Sequence, residues 1–98
     1  MPTVTLSSAE NPSEAQRIRG GSKIYAFHGD FDGGTVTMEA SYDGGVNWIT
    51  VNEDVNGTTF EVTTEGIYEI NLGNCLVRFT ATGLDSDSNP LDVTVTIS

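Results

Sequence analysis

The chain has 98 residues, with 14 acidic side chains, 4 basic ones, one histidine and one cysteine. This length is one domain, large enough to bury a core without a disulfide staple or a structural metal. A formal net charge of −10 repels phosphate backbones and anionic lipid, which argues against nucleic-acid and membrane partners.

Residues 3–7 alternate Val4 and Leu6 with threonine and serine, which predicts a first strand. The start lacks a basic n-region, so no signal peptide is expected. No apolar run approaches the ~18 residues of a membrane span. Residues 8–21 then lose all periodicity and hold Pro12 and Gly20-Gly21. One helical turn over residues 14–18 is conceivable but too short to stand alone. The stretch reads as a long loop or docking arm. Arg17, Arg19 and Lys23, three of the four cations, lie in it or beside it. They either neutralise carboxylates of the domain itself or dock on an acidic neighbour.

Residues 22–28 are apolar on both parities, with Ile24 and Ala26 on one and Tyr25 and Phe27 on the other. Such a strand is covered on both faces, or its outer face meets a partner. Phe31 stands between Asp30 and Asp32 in a Gly-rich turn. It either folds back over the end of the domain or anchors a contact. Residues 35–42 alternate cleanly and predict Val36, Met38, Ala40 and Tyr42 inward. Residues 46–51 carry Trp48, and residues 58–63 present Phe60 and Val62. Residues 67–72 present Tyr68, Ile70 and Leu72, and residues 75–82 present Cys75, Val77, Phe79 and Ala81. Residues 91–97 present Leu91, Val93, Val95 and Ile97.

Turn signals separate these runs: Gly33-Gly34, Asp43-Gly44-Gly45, Asn56-Gly57, Glu65-Gly66 and Gly73-Asn74. Short links force antiparallel neighbours. The pattern predicts one all-β domain over residues 1–98. It would be an antiparallel β-sandwich of about eight strands, jelly-roll or immunoglobulin-like.

Chemistry-bearing constellations are sparse. His28 is the only histidine, so no histidine metal triad can form, and its strand position favours a partly buried structural role. Cys75 reads as a small buried hydrophobe. It could serve as a nucleophile only if the fold set it beside His28. No Gly-rich loop enters a helix to cradle phosphate. Asp85, Asp87 and Asn89 place oxygens at alternate positions, as calcium loops do. However, Pro90 stands where such a loop has glycine, and Thr96 where it has glutamate. The segment reads as a solvated turn, with Ca2+ as the minor alternative, and no cofactor is expected. Catalysis is not expected either.

Ser41-Tyr42-Asp43-Gly44-Gly45-Val46-Asn47-Trp48 resembles the Asp-box, S-x-D-x-G-x-T-W, with Asn47 in place of threonine. The resemblance implies a hairpin in which Asp43 bonds turn amides, Gly44 and Gly45 permit the turn, and Trp48 packs beneath it. That role is structural and carries no sialidase activity.

A wider resemblance spans residues 22–98. The run Gly29-Asp30-Phe31-Asp32-Gly33-Gly34-Thr35-Val36-Thr37-Met38, followed by Asp43-Gly44-Gly45 and Trp48, is similar to small virion proteins of tailed bacteriophages. Those proteins pair a G-x-F-x-G-G-T-V-T-L strand with an S-x-D-G-G-x-x-W hairpin. Later segments around Phe60, Gly66-Ile67-Tyr68 and Arg78, and the last Val-Thr-Val-Thr-Ile strand, fit the same layout. The resemblance implies a capsid decoration or cement protein, made in the host cytoplasm and located in the virion. Its partners would be the major capsid protein or other virion proteins. Many copies would bind as homo-oligomers, commonly trimers. Arg17, Arg19, Lys23, Tyr25, Phe27 and Phe31 are the candidate partner-binding residues, with Tyr25 and Phe27 buried partly by other chains. The competing expectation is a carbohydrate-binding or adhesin module that uses Phe31, Tyr25 or Trp48 as a sugar platform.

Overall fold

Alternation becomes strand wherever one parity is apolar, because a pleated chain sends successive side chains to opposite faces. The computed structural model describes residues 3–7, 10–52, 57–83 and 91–98. Among them the strands are β1 (Thr3–Ser7), β2 (Gln16–Ile18), β3 (Gly21–Asp30), β4 (Thr35–Ser41), β5 (Ile49–Thr50), β6 (Glu61–Val62), β7 (Gly66–Leu72), β8 (Cys75–Thr82) and β9 (Asp92–Ile97). No helix occurs among the described residues.

The strands form two antiparallel sheets. One has the order β1-β9-β3-β7; the other has the order β2-β8-β4-β5, with β6 also on β4. In the first sheet Tyr25 faces both Tyr68 and Ile97, and Phe27 faces Gly66 and Val95. In the second, Met38 faces Phe79 and Ala40 faces Val77. β5 and β6 follow one another along β4. Between them the chain makes an excursion whose base is the Asn52–Thr59 bridge.

One core lies between the sheets. Leu6, Tyr25, Phe27, Val36, Met38, Val77, Phe79, Val93, Val95 and Ile97 are all buried in it. Phe27 and Phe79 meet edge to face across the layers, with centroids 5.6 Å apart. Phe60 and Tyr68 do the same at 5.1 Å. Such pairs add about 0.5–1.5 kcal/mol each beyond their buried area.

Several expectations need correction. Tyr25, Phe27 and Phe31 are buried by this chain's own core, Tyr25 to 0% exposure, so none of them presents a surface to a partner. Phe31 folds back beneath its own turn, where the Gly34 amide donates to the Phe31 carbonyl. The arm is neither helical nor a free loop. Its described part lies along β8: the Asn11 side chain bonds both the Ala81 carbonyl and the Ala81 amide. Ser13 Oγ accepts from the Phe79 amide at 3.0 Å, and β2 then pairs with residues 75–77. His28 is exposed, its side chain 80% accessible, with Nδ1 2.8 Å from the Glu65 carboxylate. It lies on β3 of one sheet, whereas Cys75 is buried at the start of β8 in the other.

Tyr42 was expected inward but is 60% exposed. β4 ends at Ser41, which is buried because its hydroxyl serves the following turn. The strand expected over residues 46–51 shrinks to Ile49–Thr50, with Val46 left in the turn. Asp85, Asp87 and Asn89 lie outside the described residues.

Candidate functional site

The registers sort the loops into two ends. β3 starts at Gly21 opposite Leu72 and ends at Asp30 opposite Asp92. β8 starts beside Ser41 and ends beside Thr35. One end therefore collects residues 19–20, the 42–48 hairpin and the Gly73-Asn74 turn. The opposite end collects the 31–34 turn, residues 63–65 and the start of β9.

The cations gather toward the first of these ends, where the Asp43 carboxylate also lies. Arg17 and Arg19 flank buried Ile18 on and just beyond β2, and both are exposed. With Gly20 and Asn74 they line a shallow hollow. The Gly20 amide donates to Asn74 Oδ1, which ties the two turns together. Lys23 sits half-buried on the first turns of β3. Arg78, the fourth cation, lies on β8 opposite Glu39, in the half nearer this end. At the opposite end stand Glu10, Asp30, Asp32, Glu65 and Asp92. Among the described residues, Arg17, Arg19 and Lys23 make no ion pair with a carboxylate.

The Asp-box-like hairpin borders this basic end. The Ser41 hydroxyl donates to Asp43 Oδ1 at 2.7 Å and accepts from the Gly45 amide at 2.9 Å. Asp43 accepts from the Asn47 amide at 2.9 Å and from the Asn47 side-chain amide at 2.7 Å. These bonds, the Asn47 amide foremost, hold the Asp43 carboxyl down at about 2. Asn47 thus ties the turn to Asp43 through both its backbone and its side-chain amide. Gly44 and Gly45 have φ of 79° and 95°, a region that side chains with a Cβ avoid.

Trp48 Nε1 donates to the Gly45 carbonyl at 3.1 Å. The Arg78 guanidinium lies 4.2 Å from the centroid of the Trp48 ring, and its Nε donates to Glu39 at 2.7 Å. Thr80 adds a second donor to the same carboxylate oxygen. The hairpin is thereby clamped to the outer face of the second sheet by a cation–π contact and a charge-assisted bond. The sequence marked Asp43, Gly44, Gly45 and Trp48 but gave no sign of Arg78 and Glu39, because their meeting depends on the β4–β8 register.

At this end, two buried polar groups and one from an exposed residue, Tyr42, come together. The Cys75 thiol is buried, and burial pushes its pKa up. The Tyr42 hydroxyl lies against it, and desolvation raises its pKa too. The Tyr25 hydroxyl is pushed up to about 12, chiefly by burial, and has no hydrogen-bond partner among the described residues. All three groups stay protonated at neutral pH. No cluster of three or more metal-ligating side chains occurs among the described residues.

Comparison with protein-family models, with curated proteins and with solved structures finds no match to this chain.

Proposed function

We propose that this chain is a non-catalytic virion structural protein of a tailed bacteriophage, a decoration or cement protein that docks on the assembled shell in many copies. The observation that carries the reading is the placement of charge. In a chain of net charge −10, Arg17 and Arg19 stand at one end around the Gly20 and Asn74 turns, with Lys23 near the start of β3, and among the described residues none of the three makes an ion pair. An acidic exterior keeps free copies apart, and a small basic end selects an acidic surface and sets the orientation of docking.

We also read the two sheets as a sandwich closer to immunoglobulin-like than to jelly-roll. The supporting pattern is β3 paired with β7 in one sheet and β4 with β8 in the other, the interlocked pairs of that fold. The departure is β9, which pairs with β3 and β1. Nuclear Overhauser contacts between the Phe27 and Phe79 rings test the layering, and their absence would refute it.

The glycan reading has less support. Tyr25 and Phe31 are buried, and Arg78 covers one face of Trp48.

The functional test is co-sedimentation with phage particles that lack the protein. Saturable binding that weakens with salt is expected. Arg17→Glu with Arg19→Glu should weaken it by about tenfold or more, since each reversal replaces an attraction of up to ~1 kcal/mol by a repulsion. The thermal midpoint should stay unchanged. Undiminished binding by the double variant, or a glycan-array signal without particle binding, would refute the proposal.

A further inference from the structure

Among the described residues the two sheets end in four edges, and they differ. β2 is three residues long, β1 is five, and the β5–β6 edge is two two-residue strands separated by an excursion. β7 has seven residues, Gly66–Leu72, and among the described residues only β3 pairs with it. It has no proline and no lysine, and the one charge within it is the exposed Glu69.

Its two faces specify what would fit there. The inner row, Tyr68, Ile70 and Leu72, packs on the core but remains half-buried, because the facing sheet ends in the interrupted β5–β6 edge. A hollow lined by Asn52, Phe60, Tyr68 and Ile70 opens beside it. The outer row reads Glu65, Ile67, Glu69, Asn71. Ile67 is 74% exposed. Ser22 steadies the Glu69 carboxylate at 2.8 Å, and His28 meets that of Glu65.

We infer that the β7 edge binds an extended segment of another protein by strand addition, and that the segment carries basic residues two positions either side of an apolar one. The basic residues face Glu65 and Glu69, the apolar residue between them faces Ile67, and the intervening apolar side chains enter the hollow by Phe60. Backbone bonds supply the pairing and the alternate side chains supply the choice. A second copy of this chain is a poor occupant. Full antiparallel overlap of two β7 strands sets Glu69 against its own copy, and two chains of net charge −10 repel as wholes. This inference does not depend on the basic end being the shell contact.

The test uses the full chain, isotope-labelled, and two capped peptides: lysine-valine-isoleucine-valine-lysine and the same sequence with both lysines replaced by glutamate. The lysine peptide is expected to slow amide exchange within residues 66–72 and to shift those resonances, and the glutamate peptide is expected to do neither. Glu69→Lys should weaken the lysine peptide about fivefold, the scale of one cross-strand charge pair. A peptide with one glutamate facing the new lysine should restore the affinity. Circular dichroism confirms that the variant is folded. Equal binding of both peptides, protection on β1 instead of β7, no binding at all, or sedimentation showing a dimer closed through β7 would each overturn the inference.

Discussion

A methyl added at Gly29 would run into the backbone of β9, so Gly29→Ala is a sharp probe of the β3–β9 pairing. Gly29 has φ of 130°, outside every region an alanine favours, at about 1–3 kcal/mol of strain. A methyl there would also press into the Asp92 carbonyl, with the Asp92 carbonyl carbon at 3.1 Å and Val93 Cα at 3.2 Å. Both neighbours are backbone, so relief requires β9 to move away from β3. That loosens the ladder around Gly29–Val93 and Asp30–Asp92, at about 1 kcal/mol per bond lost. The sum is about 3–5 kcal/mol, a large share of the roughly 5–15 kcal/mol available to a domain of this length.

The internal control is Gly21→Ala. Gly21 has φ of 119° but nothing within 4 Å of the added methyl, so it reports the strain alone. Urea melts of both variants should place Gly29→Ala about 2 kcal/mol or more below Gly21→Ala, for the ladder bonds that only the former disturbs. Equal losses would refute the close approach of β3 and β9.

Other outcomes follow from the same contacts. Ser13→Ala leaves the Phe79 amide without its acceptor and should cost about 1–3 kcal/mol in chemical denaturation; no loss would mean that the arm is not pinned to β8. Tyr25→Phe removes a buried hydroxyl that has no partner among the described residues, so it should be neutral or stabilising by up to about 2 kcal/mol, and a clear loss of stability would contradict this. Asp43, held at about 2 against an ordinary 3.8, stabilises the fold fully above roughly pH 4 and loses that contribution as pH falls through about 2. The melting-temperature gap between wild type and Asp43→Asn should therefore close on acidification, and a gap that stays constant would count against the turn bonds. Cys75, buried and with a raised pKa, should resist alkylation at pH 8 until the chain unfolds; rapid labelling of the native protein would contradict its placement.

What could be read from the sequence was the part governed by period two. The inward rows of β4 up to Ala40, of β8 and of β9 follow directly from alternation, because each of these strands has one apolar parity and one of threonine or charge, Leu76 at the start of β8 excepted. Reading failed where side chains replace backbone or where both parities are apolar. Tyr42 follows the alternation by residue type, but Ser41 gives its hydroxyl to the turn and ends the strand. The arm has no periodicity because Asn11 and Ser13 pair with β8 through their side chains before β2 begins. A clue was present in two hydrogen-bonding residues spaced two apart, which a β-edge can accept. In β3 the apolar character of Ile24 and Ala26 suggested a covered outer face, yet Ile24 and the neighbouring Ile67 are exposed. The basic end was only half visible. Arg17, Arg19 and Lys23 are close in sequence, but the meeting of Arg17 and Arg19 with Asn74 depends on β8 pairing with β2.

Electron cryo-microscopy of particles carrying the chain tests the central claim most directly. The account predicts repeated copies on the shell, each with Arg17, Arg19 and the Gly73-Asn74 turn toward the capsid and the Phe31 turn facing solvent. Particles without such density, or copies seated by the acidic end, would contradict it.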